Sequence, residues 1–275
     1  MPELPEVETI KNSLAPQIIG LQIQEVTISL PKLIQIPSAE ELMANIKHKT
    51  ILQISRRGKY LLFHLSQHLI MVVHLRMTGR LVYCSPDTPM EKHTHIIFDL
   101  NNQQQLRYTD IRQFGRILLT SQDQMDQLPG LKDLGVEPLE DNFNLEFLQK
   151  NLAPKRTRLK ALLLNQAFIA GLGNIYTDEA LYRAGLYPGR LGNSLSPHEM
   201  IKLHQAIQEV LTQGIQNRGT SLKDYVDGNG SPGSYQNKLL VYGRAGQACP
   251  QCGESILRIQ MAGRSTFFCP QCQKP

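Results

Sequence analysis

Four cysteines near the end of the chain constrain its fold more than any other feature. They fall as Cys249-x2-Cys252-x16-Cys269-x2-Cys272, and each Cys-x2-Cys pair lets two sulfurs grip one ion within a tight turn. Two such turns complete a tetrahedron, so the spacing predicts a closed, structural Zn2+ site with no open position for chemistry. Pro250, Pro270 and Gly253 punctuate the turns. Between the pairs, two β-stretches meet at Gly263 and predict a hairpin with Arg264 near its tip. An arginine there reads as a solvated charge or as a phosphate contact. Cys84 stands apart from the four and reads as an ordinary thiol.

With 275 residues and 41% hydrophobic content, the chain has enough apolar material for about two domains and is too apolar for disorder. It contains no apolar run of transmembrane length. The opening Met1-Pro2-Glu3-Leu4-Pro5-Glu6 is unlike the basic, apolar start of a signal peptide. The expected location is therefore the reducing cytoplasm, with no membrane partner. Basic residues outnumber acidic ones 13 to 10 in residues 1–120 and 7 to 3 in 217–275, while acidic residues lead 11 to 9 between them. That distribution permits a nucleic-acid partner without requiring one.

Residues 2–14 read as a short helix before Gly20, and Ser38-Ala39-Glu40-Glu41 opens a second helix with a capping box. Short β-branched runs then follow between Ile51 and Thr120, separated by Gly, Pro, Asn or Asp, as in a sandwich or barrel. Residues 121–149 carry seven acidic residues against one lysine and read as a connector. After Lys155 the periodicity is helical: Leu159, Leu162, Leu163 and Gln166 begin one helix, Gly171-Leu172-Gly173 interrupts it, and Asn174 starts another. Ser196-Pro197-His198-Glu199 opens a further helix. Residues 217–237, rich in Gly, Ser, Asn and Asp, read as a long mobile loop. The predicted class is α+β. It comprises an N-terminal β-sandwich with flanking helices (1–133), a linker (134–150), a helical domain with its loop (151–240) and a zinc finger (241–275).

The amino terminus carries the second chemical feature. Removal of Met1 before proline would leave a secondary amine, and an α-amino group has a pKa of about 7.7–8.0 against about 10.4 for lysine. More of it is therefore neutral and able to attack a carbonyl-like carbon. Glu3 and Glu6 stand one helical turn apart beside it, placed to serve as a general acid and a substrate-positioning group. Taken alone, the same residues also read as a proline-started helix with acids favoured by its dipole.

Pro2-Glu3-Leu4-Pro5-Glu6-Val7-Glu8, Gly171-Leu172-Gly173-Asn174-Ile175-Tyr176 and the terminal four-cysteine finger occur in this order. Together they resemble the bacterial formamidopyrimidine-DNA glycosylase (8-oxoguanine-DNA glycosylase) family over essentially the whole chain. The resemblance implies a helix–two-turn–helix domain around Asn174 and a catalytic set of Pro2 as nucleophile, Glu3 as acid, Lys59 on a DNA phosphate and Arg264 on the finger. It implies a lesion pocket with Glu6, Lys155 and, from the loop, Thr220, Ser221 and Tyr235. It implies a phosphate-binding His74, an intercalating wedge of Met77, Arg112 and Phe114, and further DNA contacts at Asn174, Tyr242 and Arg258. Cys249, Cys252, Cys269 and Cys272 would hold the zinc.

Read singly, Met77 and Phe114 suit a core, His74 a satisfied histidine and Asn174 a helix cap. As an enzyme of this kind the chain would be a monomer acting on double-stranded DNA with oxidised bases. It would expel an oxidised purine from a flipped nucleotide and cut the abasic site by β,δ-elimination. Asn165 stands where the family usually has an acid. Two alternatives are an endonuclease VIII-like enzyme for oxidised pyrimidines and a non-catalytic damage-binding protein. The wedge set favours the purine enzyme, and retention of Pro2, Glu3 and Lys59 favours catalysis.

Overall fold

Gly58 closes the first of a run of tight hairpins. Its φ of 54° lets β3 (Ile51–Arg57) turn directly into β4 (Tyr60–Leu65), with Arg57 paired to Tyr60. β5 (Leu69–His74) and β9 (Arg116–Ser121) continue this sheet antiparallel, and β2 (Ile34–Ile36) joins its edge in parallel. A second sheet has the order β1 (Ile23–Ile28), β7 (Thr94–Leu100), β8 (Gln105–Asp110) and β6 (Gly79–Cys84). Leu61, Phe63, Met71 and Val73 from the first sheet share one core with Ile96, Phe98, Leu106 and Tyr108 from the second, which makes the pair a sandwich.

Helix α1 (Leu4–Ile18) lays Val7, Ile10, Leu14 and Ile18 on the same core at helical spacing. Each such side chain stabilises the fold by about 1.5–3 kcal/mol through burial. Helix α2 (Ala39–Ile46) begins at Ser38 with the reciprocal Ser38–Glu41 bonds of the expected capping box.

The computed structural model describes residues 1–275 and divides them into two compact units, Met1–Lys132 with Asn217–Ser234, and Asp133–Gln216 with Tyr235–Pro275. The segment 217–234 thus belongs to the sandwich and not to the helical body that its position in sequence suggests. The cause is a set of specific anchors: Thr220 N–H donates to Glu6, Gly228 N–H donates to Ser13, and Tyr83 N–H donates to the Gly228 carbonyl. Asp227, itself buried, accepts from the N–H groups of Asn229 and Ser231 and pairs with Arg218. What composition reads as a mobile loop is a strap held at several points.

The second unit contains α3 (Leu145–Leu152), α4 (Leu159–Leu164), α5 (Asn174–Arg183), α6 (Pro197–Gln216) and the hairpin β10 (Leu257–Met261)–β11 (Arg264–Phe268). Helix α4 ends before Gln166, because Asn165 and Gln166 build the turn instead of extending the helix. Asn165 Oδ1 accepts the Ala167 N–H at 3.0 Å, a bond that needs an oxygen but not a charge. Gln166 donates to the Leu172 carbonyl and accepts from Gly171 N–H, and Gly171 has a φ of 86°. No helix is long and apolar enough to cross a membrane.

Candidate active site

In the first unit, the chain start is fixed by a capping box at α1. The Glu3 N–H donates to Glu6 Oε2 at 2.8 Å, while the Glu3 side chain caps the Glu6 backbone in return. Met1 is exposed, whereas Pro2 is buried and Glu3 and Glu6 are 4% and 2% exposed. The second oxygen of Glu6 accepts Thr220 N–H at 2.7 Å, and the Glu6 carbonyl accepts from Tyr225 Oη. Ser221 Oγ donates to the Tyr225 carbonyl and accepts Gly233 N–H, closing the strap on itself. Glu6, Thr220 and Ser221 are therefore brought to one place.

Lys59 follows Gly58 in the first hairpin and is buried. His74 ends β5, in register with Tyr60 on one side and Arg116 on the other. Its ring packs edge-on against Tyr60 at 4.5 Å. Arg76 N–H donates to His74 Nδ1 at 3.0 Å, so Nδ1 is the bare nitrogen and Nε2 carries the proton. Burial pushes the imidazole pKa down to about 3, and the cations Arg76, Lys59 and Arg116 add to the effect. The result is a neutral N–H donor among positive charges, a suitable partner for an anionic oxygen.

Met77 and Phe114 do not enter the core; they are 42% and 51% exposed. Arg112 lies between them, with Nη1 2.9 Å from Met77 Sδ and its guanidinium carbon 4.8 Å from the Phe114 ring centre. The turns after β5 and β8 thus bring Met77 together with Arg112 and Phe114, from another part of the sequence, in one exposed group.

In the second unit, Gly173 is the cap of α5, and Asn174 is the first helical residue. Asn174 Nδ2 instead reaches the Ser265 carbonyl at 2.9 Å, tying the helix start to the hairpin. The hairpin turns at Ala262 and Gly263, both with positive φ, and presents Arg264 exposed beside Ser265. Arg258 donates to Ser265 Oγ at 2.9 Å, and Tyr242 packs edge-on against Phe267 at 5.1 Å. Lys155 is exposed on the turn after α3. Tyr235 falls in the second unit, fully buried and stacked on Tyr176 at 5.4 Å.

Sequence reasoning missed two buried acids on α5. Asp178 accepts Lys160 Nζ at 2.5 Å and the Phe267 N–H at 3.1 Å, while Glu179 accepts the N–H groups of Leu240, Val241 and Tyr242. Burial pushes both carboxyls up, and their donors pull against it. Together they join the helix to the β10–β11 hairpin and to the segment leading into the finger. In the sequence they are an acidic pair in the middle of a helix, which reads as a solvated face.

The four cysteine sulfurs lie within 4.8 Å of one another, with Cys252–Cys269 at 3.4 Å and Cys249–Cys272 at 3.9 Å. Tetrahedral zinc–sulfur bonds of about 2.3 Å require sulfur–sulfur edges of about 3.8 Å, so the cluster fits one zinc ion. Cys249 Sγ also lies 3.1 Å from Tyr182 Oη, a donor suited to a thiolate. Gln273 accepts Cys269 N–H and donates to the Leu186 carbonyl, which secures the last knuckle to the helical body. The four-thiolate zinc is structural, since a closed shell leaves substrate no position.

Three family models match in chain order. They are described as "Formamidopyrimidine-DNA glycosylase N-terminal domain" over residues 1–117, "Formamidopyrimidine-DNA glycosylase H2TH domain" over 134–226 and "Zinc finger found in FPG and IleRS" over 246–275. The chain is 53% identical to the formamidopyrimidine-DNA glycosylase of Pelotomaculum thermopropionicum, covering 100% of this chain and 99% of that protein. Among solved structures, a Lactococcus lactis FPG mutant in complex with Fapy-dG containing DNA matches with a TM-score of 0.94 at 38% identity, covering 100% of both chains. The wild-type lactococcal protein with an oxidised pyrimidine containing DNA matches with a TM-score of 0.92, also at 38% identity and 100% of both chains. The chain belongs to the formamidopyrimidine-DNA glycosylase family.

Proposed function

We propose that this protein excises oxidised purines from duplex DNA in the cytoplasm and cleaves the resulting abasic site, with Pro2 as nucleophile. The observation that carries the reading is the chain start. Pro2 is buried next to a buried Glu3, on a helix cap that Glu6 holds rigid. Once Met1 is removed, the Pro2 nitrogen attacks C1′ of the flipped nucleotide and the glycosidic bond breaks, with Glu3 supplying the proton the departing base needs. Loss of the amine proton and opening of the C1′–O4′ bond, with O4′ taking up a proton, leave an iminium Schiff base at C1′ that acidifies the C2′ hydrogens, so β- and then δ-elimination expel the two flanking phosphates. Both Glu6 oxygens accept backbone N–H bonds, which suits Glu6 to shaping the pocket and not to proton transfer.

Lys59 and neutral His74 would hold phosphate in this scheme, as would Asn174, Arg258 and Arg264 on the second unit. The Met77–Arg112–Phe114 group would fill the gap left by the flipped base. The four cysteines hold the zinc, which keeps the finger folded. Because a lactococcal relative was solved with oxidised pyrimidine DNA, pyrimidine lesions form the second substrate class to compare.

The test is incubation of the Met1-processed protein with an 8-oxoguanine:cytosine duplex and borohydride, followed by peptide mapping. The expected result is a covalent adduct on Pro2 and loss of base release when the amine is left blocked by Met1. An adduct on Lys59 or Lys155, or full activity with a blocked amine, overturns the mechanism. Faster excision of oxidised pyrimidines than of 8-oxoguanine would reassign the substrate.

A further inference from the structure

We infer that Asp110 and Thr78 are positioning residues that set the aim of the Met77–Arg112–Phe114 group; the inference rests on the wedge role proposed above. The two turns that carry this group share no regular structure. Each also contains a non-glycine residue in the left-handed region, Arg76 with a φ of 55° and Gln113 with a φ of 57°. Side chains seldom adopt that backbone, so something must hold it in place.

Asp110 is fully buried at the end of β8. Its Oδ1 accepts the Thr78 hydroxyl at 2.5 Å, and its Oδ2 accepts Gly115 N–H at 2.8 Å. Having donated its proton to Asp110, Thr78 Oγ1 accepts Arg112 N–H at 3.0 Å. A continuous relay therefore runs from Arg112 N–H through the Thr78 hydroxyl to the Asp110 carboxylate. The loop carrying Arg112 and Phe114 is pinned at residue 112 and again at 115, and is cross-linked to the turn carrying Met77. A carboxylate bonded to a hydroxyl and a backbone amide is a strong, directional clamp.

Steric fit adds a second, independent restraint. The Tyr108 hydroxyl, 3.4 Å from Asp110 Oδ2, fills the space where the two turns meet. A Cβ on Gly79 would lie 2.5 Å from that hydroxyl, and one on Gly115 only 1.6 Å away. Glycine at both positions lets the turns close around the phenol. None of these residues reaches solvent with a reactive group, so their contribution is orientation: Arg112 is delivered between Met77 Sδ and the Phe114 ring.

The test uses Thr78→Val, which is nearly isosteric and deletes both bonds of the relay, with Thr78→Ser as the variant that keeps the hydroxyl. Duplexes carry 8-oxoguanine beside 2-aminopurine, whose fluorescence rises when the stack is opened. A preformed abasic site in single-stranded DNA serves as a substrate with no stack to open. Thr78→Val should slow both the fluorescence phase and base excision by about 10- to 100-fold, as expected for a lost charge-assisted hydrogen bond expressed in the barrier. Cleavage of the single-stranded abasic site should stay within about twofold, and Thr78→Ser should restore the duplex rates.

Unchanged duplex rates in Thr78→Val, equal loss on both substrates, or failure of serine to rescue would overturn the inference. The double variant Met77→Ala, Phe114→Ala separates the two claims. If it abolishes the fluorescence phase while Thr78→Val does not, the wedge stands and the positioning role falls. If it leaves the phase intact, both fall.

Discussion

Glu6→Gln tests whether one carboxylate couples the chain start to the strap. In the protein its two oxygens accept the Glu3 N–H at 2.8 Å and the Thr220 N–H at 2.7 Å, in a site 2% exposed. Glutamine keeps one acceptor and turns an NH2 donor toward the other N–H. Hydrogen bonds to a charged acceptor are worth about 1.5–3 kcal/mol each, and neutral ones about 0.5–1.5. If the retained oxygen stays on the local cap, Thr220 loses an anchor of about 2 kcal/mol, which raises the opening equilibrium of that part of the strap about 30-fold. Native-state hydrogen exchange reads this directly. Protection of the Thr220 amide should fall by about that factor, while Gly228, whose N–H is held by Ser13 Oγ, should keep its protection. Excision of an oxidised base should slow with the looser strap. Unchanged protection at Thr220, or an equal fall at Gly228, would refute the coupling, the first because the bond carries nothing and the second because the strap opens as one piece.

Other consequences follow from the same geometry. His74 should show no imidazole titration between pH 5 and 8 by NMR, since its pKa is pushed down to about 3; a midpoint near 6 would contradict the buried, neutral ring. The sign for stability follows: below its ordinary value of 6.5 the unfolded chain takes up a proton that the folded ring refuses, so stability falls as pH drops from 6.5 toward 3. Glu199 behaves in the opposite sense to a raised group: Arg190, with the Ser196 cap, holds its pKa down to about 2 from 4.5, so its contribution is present above pH 4.5 and lost as pH falls toward 2. Glu199→Gln should cost about 1 kcal/mol at neutral pH after allowance for solvent exposure, and the difference in Tm from the parent should vanish near pH 2. Metal analysis should find one zinc per chain, and Cys249→Ser should expose residues 246–275 to protease while the sandwich unit keeps its Tm; protease resistance without zinc would remove the structural role.

The strand run and the zinc cluster were legible because each rests on short-range rules. Alternation with turn residues marks Ile51 to Thr120 as strands, and a two-residue spacing between cysteines suffices to mark a metal turn. β1 and β2 escaped that reading: Ile23–Ile28 and Ile34–Ile36 are short and isolated between the two N-terminal helices, outside the run of closely spaced strands. The anchoring of 217–234 was illegible for a different reason. Its glycines and polar residues mark a loop, but the bonds from Thr220 to Glu6 and from Gly228 to Ser13 span 214 and 215 positions, and no local pattern encodes them. Asn174 illustrates a near miss: the residue type suggests a cap, yet Gly173 takes that role and leaves the amide to reach Ser265. Tyr235 is singled out through the family resemblance alone, and no local pattern announces its stacking on Tyr176 at the start of a 3-10 turn.

A common device explains how so much irregular backbone is held. Glu6, Asp110, Asp227 and Glu179 are all 3% exposed or less, and each accepts backbone N–H groups from a segment that lacks a sheet or helix partner there. A buried carboxylate is costly in isolation, but one that accepts several N–H donors satisfies both itself and groups that would otherwise be orphaned. At Glu6 and Asp110, replacement by an apolar residue would leave two buried donors unpaired, at about 1–3 kcal/mol each. Such acids cannot be exchanged for packing in the way a surface ion pair can. They also concentrate where the candidate site residues lie: at the chain start, at the exposed Met77 and Phe114 turns, on the strap, and at the approach to the finger. The sandwich and helices supply rigid frames, and these carboxylates fix to them the loops that carry the proposed DNA contacts.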